Sequence, residues 1–193
     1  MSLKDFFEKL AEIFDGKREI EKVAQRQLKC QHFQHRTPTS HVNLPQPIIE
    51  VMRRKSAHPI CKAILEFPFD WRPPQTSNDL VYKEHSTFKS HVELLGPNGL
   101  VKSSIVRLGL YGMLPHSEYG IRTHPAEEIY IMLAGDCLWK KAESDYTSLS
   151  VYERAYHPSN IPHASKTEEN AFMAAYVWNG DLSKDRYIYK GIQ

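Results

Sequence analysis

The chain has 193 residues, 41% hydrophobic and 25% charged, with a formal net charge of +2. That length suits one packed domain with an accessory segment, and the near-neutral charge, without a dense basic run, gives no electrostatic case for a nucleic-acid partner. Three widely spaced cysteines, Cys30, Cys61 and Cys137, fit neither a disulfide framework nor a thiolate zinc cluster and point to a reducing compartment.

In the opening stretch MSLKDFFEKLAEIF, Leu3, Phe6, Phe7, Leu10, Ile13 and Phe14 recur at helical spacing with charges between them. This predicts an amphipathic helix stopping near Gly16. Asp5, Glu8 and Glu12 interrupt it too often for a secretory signal, and no run approaches the roughly 18 apolar residues of a membrane span. A cytoplasmic protein with no membrane partner is expected. Ile20, Val23 and Leu28 mark a second helix, after which QHFQHRTPTSHVNLPQP loses periodicity. Its histidines, His32, His35 and His41, read as surface residues rather than ligands. A third helix is predicted from Pro47, a residue suited to a first turn, and AHPICKAILEF predicts a short fourth. PFDWRPPQTSND is a loop rich in turn formers. Residues 1–80 are thus expected to be a helical extension without chemistry of its own.

From Val81 the pattern changes. LVYKEHSTF, SHVELLGP, VKSSIVRLGLYGMLP, EEIYIMLAGDCLWKKA, TSLSVYERAYHP and NAFMAAYVWNG are apolar or alternating runs bounded by turn residues. Such spacing predicts a mainly β domain over 81–193, a sandwich or barrel. Within THPAEEIYIMLAG, read as a strand, His124, Ala126, Glu128, Tyr130 and Met132 share one face, and Glu127, Ile129 and Ile131 the other. One face then carries an imidazole, a carboxylate and a phenol. His163 follows a proline-bounded bend in YHPSNIPHAS, and the intervening hairpin is expected to return it beside His124.

These two segments resemble the cupin motifs. RTHPAEEIYIMLAG carries His124, Glu128 and Gly135 at the spacing of the first, and PSNIPH carries the second, with His163 as ligand and Asn160 in the glycine position. Asn tolerates positive φ, so that departure is mild. Arg122 stands where most cupins place their first histidine. Within the superfamily, RLGLYGMLPHSEYGIRTHPAEEIYIMLAGDCLW is similar to the cupin-type dimethylsulfoniopropionate lyases. The resemblance implies a cupin double-stranded β-helix, or jelly-roll, barrel behind a helical extension. It also implies metal ligands His124, Glu128, His163 and Tyr130, and Tyr119 as an additional active-site tyrosine.

Two imidazoles and a carboxylate suit one divalent transition metal, Zn, Fe, Mn or Ni, without choosing among them. The resemblance implies β-elimination of a small-molecule substrate, with Tyr130 as the base and Tyr119 next in line. The cationic sulfonium calls for aromatic faces, with Tyr119, Tyr130 and Trp178 as candidates, while Trp139 and Tyr156 read as structural. Arg122 has two readings: inward, gripping the substrate carboxylate, or displaced by Pro125 to the barrel mouth and solvent, the one preferred here. Glu127 reads as an exterior charge and His116 as a turn residue. Other metal-dependent cupin enzymes, whether isomerase, decarboxylase or dioxygenase, and a non-catalytic binding cupin stay open as alternatives. Arg122 counts against a dioxygenase, and the phenol beside the ligands counts against a mere binder. A homodimer is one assembly left open.

Overall fold

A computed structural model describes residues 1–30 and 42–192. His32, His35 and His41 therefore lie outside the described residues. The four expected helices form as α1 (Leu3–Ala11), α2 (Glu19–Lys29), α3 (Gln46–Met52) and α4 (Ile60–Glu66). Ser2 and Asp5 make a reciprocal capping box at the start of α1, satisfying amide groups the helix leaves free. The helix stops at Ala11, yet Ile13 and Phe14 stay buried in the turn that follows.

The run LVYKEHSTF is a helix followed by a turn rather than a strand. Asp79 accepts from the Tyr82 amide at 2.8 Å and starts α5 (Leu80–Glu84). This cap fixes helical backbone where the composition alone suggested β, and Tyr82 is then fully buried while Leu80 faces solvent.

The strands follow as β1 (Lys89–Gly96), β2 (Val101–Lys102), β3 (Val106–Met113), β4 (Glu118–Thr123), β5 (Glu127–Gly135) and β6 (Cys137–Lys141). Then come β7 (Thr147–Leu149), β8 (Arg154–His157), β9 (His163–Lys166), β10 (Phe172–Asn179) and β11 (Ile188–Gly191). One sheet has the order β2-β1-β3-β10-β5-β8, the other β11-β4-β9-β6-β7. This is the expected jelly-roll. The expected hairpin between the two segments forms as β6 and β7, with Cys137 opposite Leu149, in the smaller sheet, whereas β5 lies in the larger. The chain changes sheet at Gly135, whose φ is +70°.

The larger sheet has two apolar faces with different partners. Ile129, Ile131 and Leu133 of β5, with Leu108, Leu110 and Val177, pack outward against Phe6, Leu10, Ile20 and Ile48 of the helices. Tyr130 and Met132 of the same strand point inward with Tyr111, Ala174 and Tyr176. The helical layer thus shares its core with the barrel wall. Its attachment is also ionic: Arg154 of β8 donates to the buried Glu21 of α2 at 2.8 Å. The segment after α4 reaches the cavity as well, since Asp70, Arg72 and Pro73 to Thr76 line it. The first 80 residues therefore supply part of the cavity wall.

Gly135 is the position most dependent on lacking a side chain. A Cβ there would lie 1.9 Å from the Ala171 carbonyl oxygen, on a backbone already in the left-handed region. Gly135→Ala is expected to lower stability by roughly 2 to 4 kcal/mol, through strain and forced backbone movement, as measured by urea unfolding.

Candidate metal centre and its cavity

The site forms where the chain crosses between sheets. β4 ends at Thr123 and β5 begins at Glu127, so His124 sits in the connecting turn with Pro125, not on one continuous strand with Glu128. Proline cannot donate to a ladder, which explains the break. Both side chains nevertheless face the barrel interior, where His124 and Glu128 are almost wholly buried. His163 opens β9 opposite Arg122 of β4 and is equally buried. The bend before it depends on Asn160, whose φ is 58° and whose amide donates to the His124 carbonyl at 2.9 Å. The residue in the motif's glycine position adopts the conformation expected of it and ties the two ligand segments together.

The ligand atoms of His124, Glu128 and His163 lie within 4.8 Å of one another. His124 Nε2 is 3.5 Å from Glu128 Oε2 and His163 Nε2 is 3.2 Å from it, with the imidazole centroids 5.0 Å apart. Each ring meets a backbone carbonyl through Nδ1, His124 at Ala126 (3.0 Å) and His163 at Ile161 (2.9 Å). A carbonyl only accepts, so Nδ1 carries the proton and a neutral ring turns its Nε2 lone pair inward. Burial, with His157 and Arg122 nearby, holds His163 well below the usual histidine range and keeps it neutral. Both Nε2 atoms and Glu128 Oε2 are buried without a hydrogen-bond partner. Two lone pairs and a carboxylate oxygen facing one another repel unless a cation lies between them. The donor set therefore fits a divalent metal, and zinc, iron, manganese or nickel would each accept it.

Glu128 of this cluster lines a cavity of about 950 Å³. Tyr130 lines it, fully inside the barrel, with its ring 4.5 Å from that of Trp139. Burial, and then the neighbouring Glu128 charge, push its phenol well above the ordinary value. Tyr119 lines the cavity too, and its hydroxyl bonds that of Tyr187. Burial and Tyr187 likewise raise the Tyr119 phenol. The Arg122 guanidinium lies 3.8 Å from the Tyr119 ring centroid and donates to the Tyr119 carbonyl at 3.2 Å. With 1% exposure, Arg122 is inside the barrel rather than in solvent at its mouth. The reason is topological: Pro125 lies beyond the end of β4, so it cannot disturb the parity that Arg122 shares with its partner His163. Its Nη2 is buried and unpartnered.

Trp178 stacks on His124 with centroids 3.9 Å apart, and its indole N–H donates to Glu128 Oε1. Tyr156 donates to Glu127 at 2.9 Å, and exposed His116 faces Glu169, all away from the cluster. Four interior residues went unrecognised in the sequence: Tyr111, Tyr176, Tyr187 and His157. Tyr111 and Tyr176 sit at inward positions of β3 and β10, so period-two alternation carried a signal for them. Tyr187 precedes β11 in a segment with no strand pattern of its own. His157 lies six residues before His163, inward on β8 with Ala155.

A model of the dimethylsulfoniopropionate lyases matches residues 17–174. The chain belongs to the dimethylsulfoniopropionate lyase family. Dimethylsulfoniopropionate lyase DddQ of Ruegeria pomeroyi is 35% identical over 89 residues, covering 46% of this chain and 44% of that relative. The aligned stretch is thus under half the length of either protein. The crystal structure of DMSP lyase DddQ from Ruegeria pomeroyi DSS-3 superimposes with a TM-score of 0.69 at 20% identity, covering 97% of this chain and 95% of that one. A chain from the crystal structures of DMSP lyases RdDddP and RnDddQII gives 0.69 at 20% identity, with 97% of both covered. The family fold, a cupin barrel with helices on one outer face, is therefore that of this chain. No helix among the described residues is long and apolar enough to cross a membrane.

Replacing His124, Glu128 or His163 with Ala should abolish retention of a divalent metal through gel filtration while circular dichroism stays native. Full metal content in any of the three would remove that residue from the ligand set.

Proposed function

We propose that the protein is a metal-dependent carbon–sulfur lyase that cleaves dimethylsulfoniopropionate to dimethyl sulfide and acrylate. The observation that carries this reading is that Tyr130 and Arg122 line one cavity with Glu128, which is itself clustered with His124 and His163, in a chain of this family. His124, Glu128 and His163 would hold the cation, with Tyr130 beside them. A bound divalent cation supplies Lewis acidity, which offsets negative charge developing on a carboxylate and lowers the pKa of a phenol near it.

The chain's own residues then have separable tasks. Arg122 presents an unpartnered buried N–H group suited to a carboxylate oxygen. The Tyr119, Tyr130 and Trp178 rings in the cavity wall offer π faces to the sulfonium, which cannot accept a hydrogen bond. Tyr130, as phenolate, removes the proton from the carbon next to the carboxylate. The released C–H electron pair becomes the new C=C bond as the neighbouring C–S bond breaks. The sulfur keeps that bond's electrons and departs as neutral dimethyl sulfide, leaving acrylate. Tyr119 is held by Tyr187 and Arg122, so its task here is to shape the cavity rather than to take the proton.

The direct test is to incubate the purified, metal-loaded chain with dimethylsulfoniopropionate and measure acrylate and dimethyl sulfide in equal amounts. No acrylate with any of the four metals would refute the reading. Tyr130→Phe should retain metal yet turn over at least about 100-fold more slowly. Arg122→Met should raise KM by about tenfold or more through loss of a charge-assisted contact, with metal content unchanged.

A further inference from the structure

His157 stands against Glu128 beside His163. It is buried on β8, and its register partner across the sheet is Glu128 itself. Its Nδ1 lies 3.4 Å from Glu128 Oε2 and is buried without another partner. Its ring stacks on His163 with centroids 4.2 Å apart. It is nevertheless absent from the group whose ligand atoms all lie within 4.8 Å of one another, which holds only His124, Glu128 and His163. It also differs from those histidines in what its Nδ1 meets. Theirs is occupied by a backbone carbonyl, whereas that of His157 has only the carboxylate in front of it. A neutral imidazole with its proton on Nδ1 would donate to Oε2 there. The other oxygen, Oε1, already accepts from the Trp178 indole.

We propose that His157 is a positioning residue that works with Trp178 to hold the Glu128 carboxylate by both oxygens, so that it offers a metal one oxygen in one orientation. With Oε1 engaged by Trp178, the carboxylate cannot rotate to bind through both oxygens. Outer partners of this kind typically contribute about 10- to 100-fold in metal affinity. The inference rests on reading His124, Glu128 and His163 as ligands, and it is independent of which substrate is cleaved.

Asn and Leu have nearly the same shape, but only Asn can place an N–H group near the position of Nδ1. Zn²⁺ affinity of the full metal-stripped chain, measured by competition with a chromophoric chelator, should fall about 10- to 100-fold in His157→Leu and stay within about threefold of the parent in His157→Asn. Trp178→Phe keeps an aromatic face and loses the N–H, and should weaken Zn²⁺ binding over the same range; this arm also decides the matter should His157→Leu fail to fold. Parent-like affinity in His157→Leu or Trp178→Phe would overturn the proposal. So would an Asn variant as weak as Leu, which would make His157 a ligand itself. Failure of the unaltered chain to bind Zn²⁺ would instead refute the ligand reading on which this one stands.

Discussion

The carboxylate of Glu128, removed from water and surrounded by imidazoles, is the constraint around which the barrel interior is arranged. An ionised group buried alone is strongly disfavoured, so its presence requires compensating charge and hydrogen bonds at close range. The Trp178 indole meets one oxygen, and three imidazole nitrogens approach the other within 3.5 Å. Two of those nitrogens carry lone pairs because backbone carbonyls hold the protons on the far side of each ring. Such a cluster is favourable around a cation and unfavourable without one.

That arrangement depends on a sheet with two different apolar faces. On β5, alternation sends Ile129, Ile131 and Leu133 to the helices and Tyr130 and Met132 to the interior. The helical layer seals the outer face, which leaves the inner one free to be specialised with phenols and charges. Interior polarity is otherwise kept largely neutral or paired. Arg107 bonds Glu93 at 2.9 Å, and His91 meets the Tyr176 hydroxyl at 2.7 Å while burial, with Lys184 and Arg107 nearby, holds its pKa down to about 3. Lys89 sits 3.3 Å from the Tyr119 ring centroid, and burial, with Arg122 nearby, lowers its pKa to about 5. Arg122 is different. Its guanidinium lines the cavity with Nη2 buried and without a hydrogen-bond partner.

The motif residues and the change from helices to strands along the chain were legible because each rests on local chemistry. His124, Glu128 and Tyr130 follow strand parity closely enough to be read together, although the turn at Pro125 separates the first from the others. Asn160 was readable as a glycine substitute because few residues other than glycine and asparagine adopt positive φ readily. The helix at Leu80 was misread because one capping aspartate outweighed the β-forming tendency of Leu-Val-Tyr. The fate of Arg122 turned on where β4 ended, which propensity does not locate to the residue.

The amino-acid sequence by itself determined the residue types of the His124–Glu128–His163 cluster, their spacing, the bends that carry them and the amphipathic helices, since periodicity and turn chemistry act over a few residues. Only the tertiary structure decided that β5 and β6 part into separate sheets, that Arg122 lies inside, and that His157, Tyr111, Tyr176 and Tyr187 join the same interior. Those outcomes depend on pairings between strands distant along the chain, such as Glu128 with His157 and Arg122 with His163. Local propensity carries no information about which distant strand will become a neighbour.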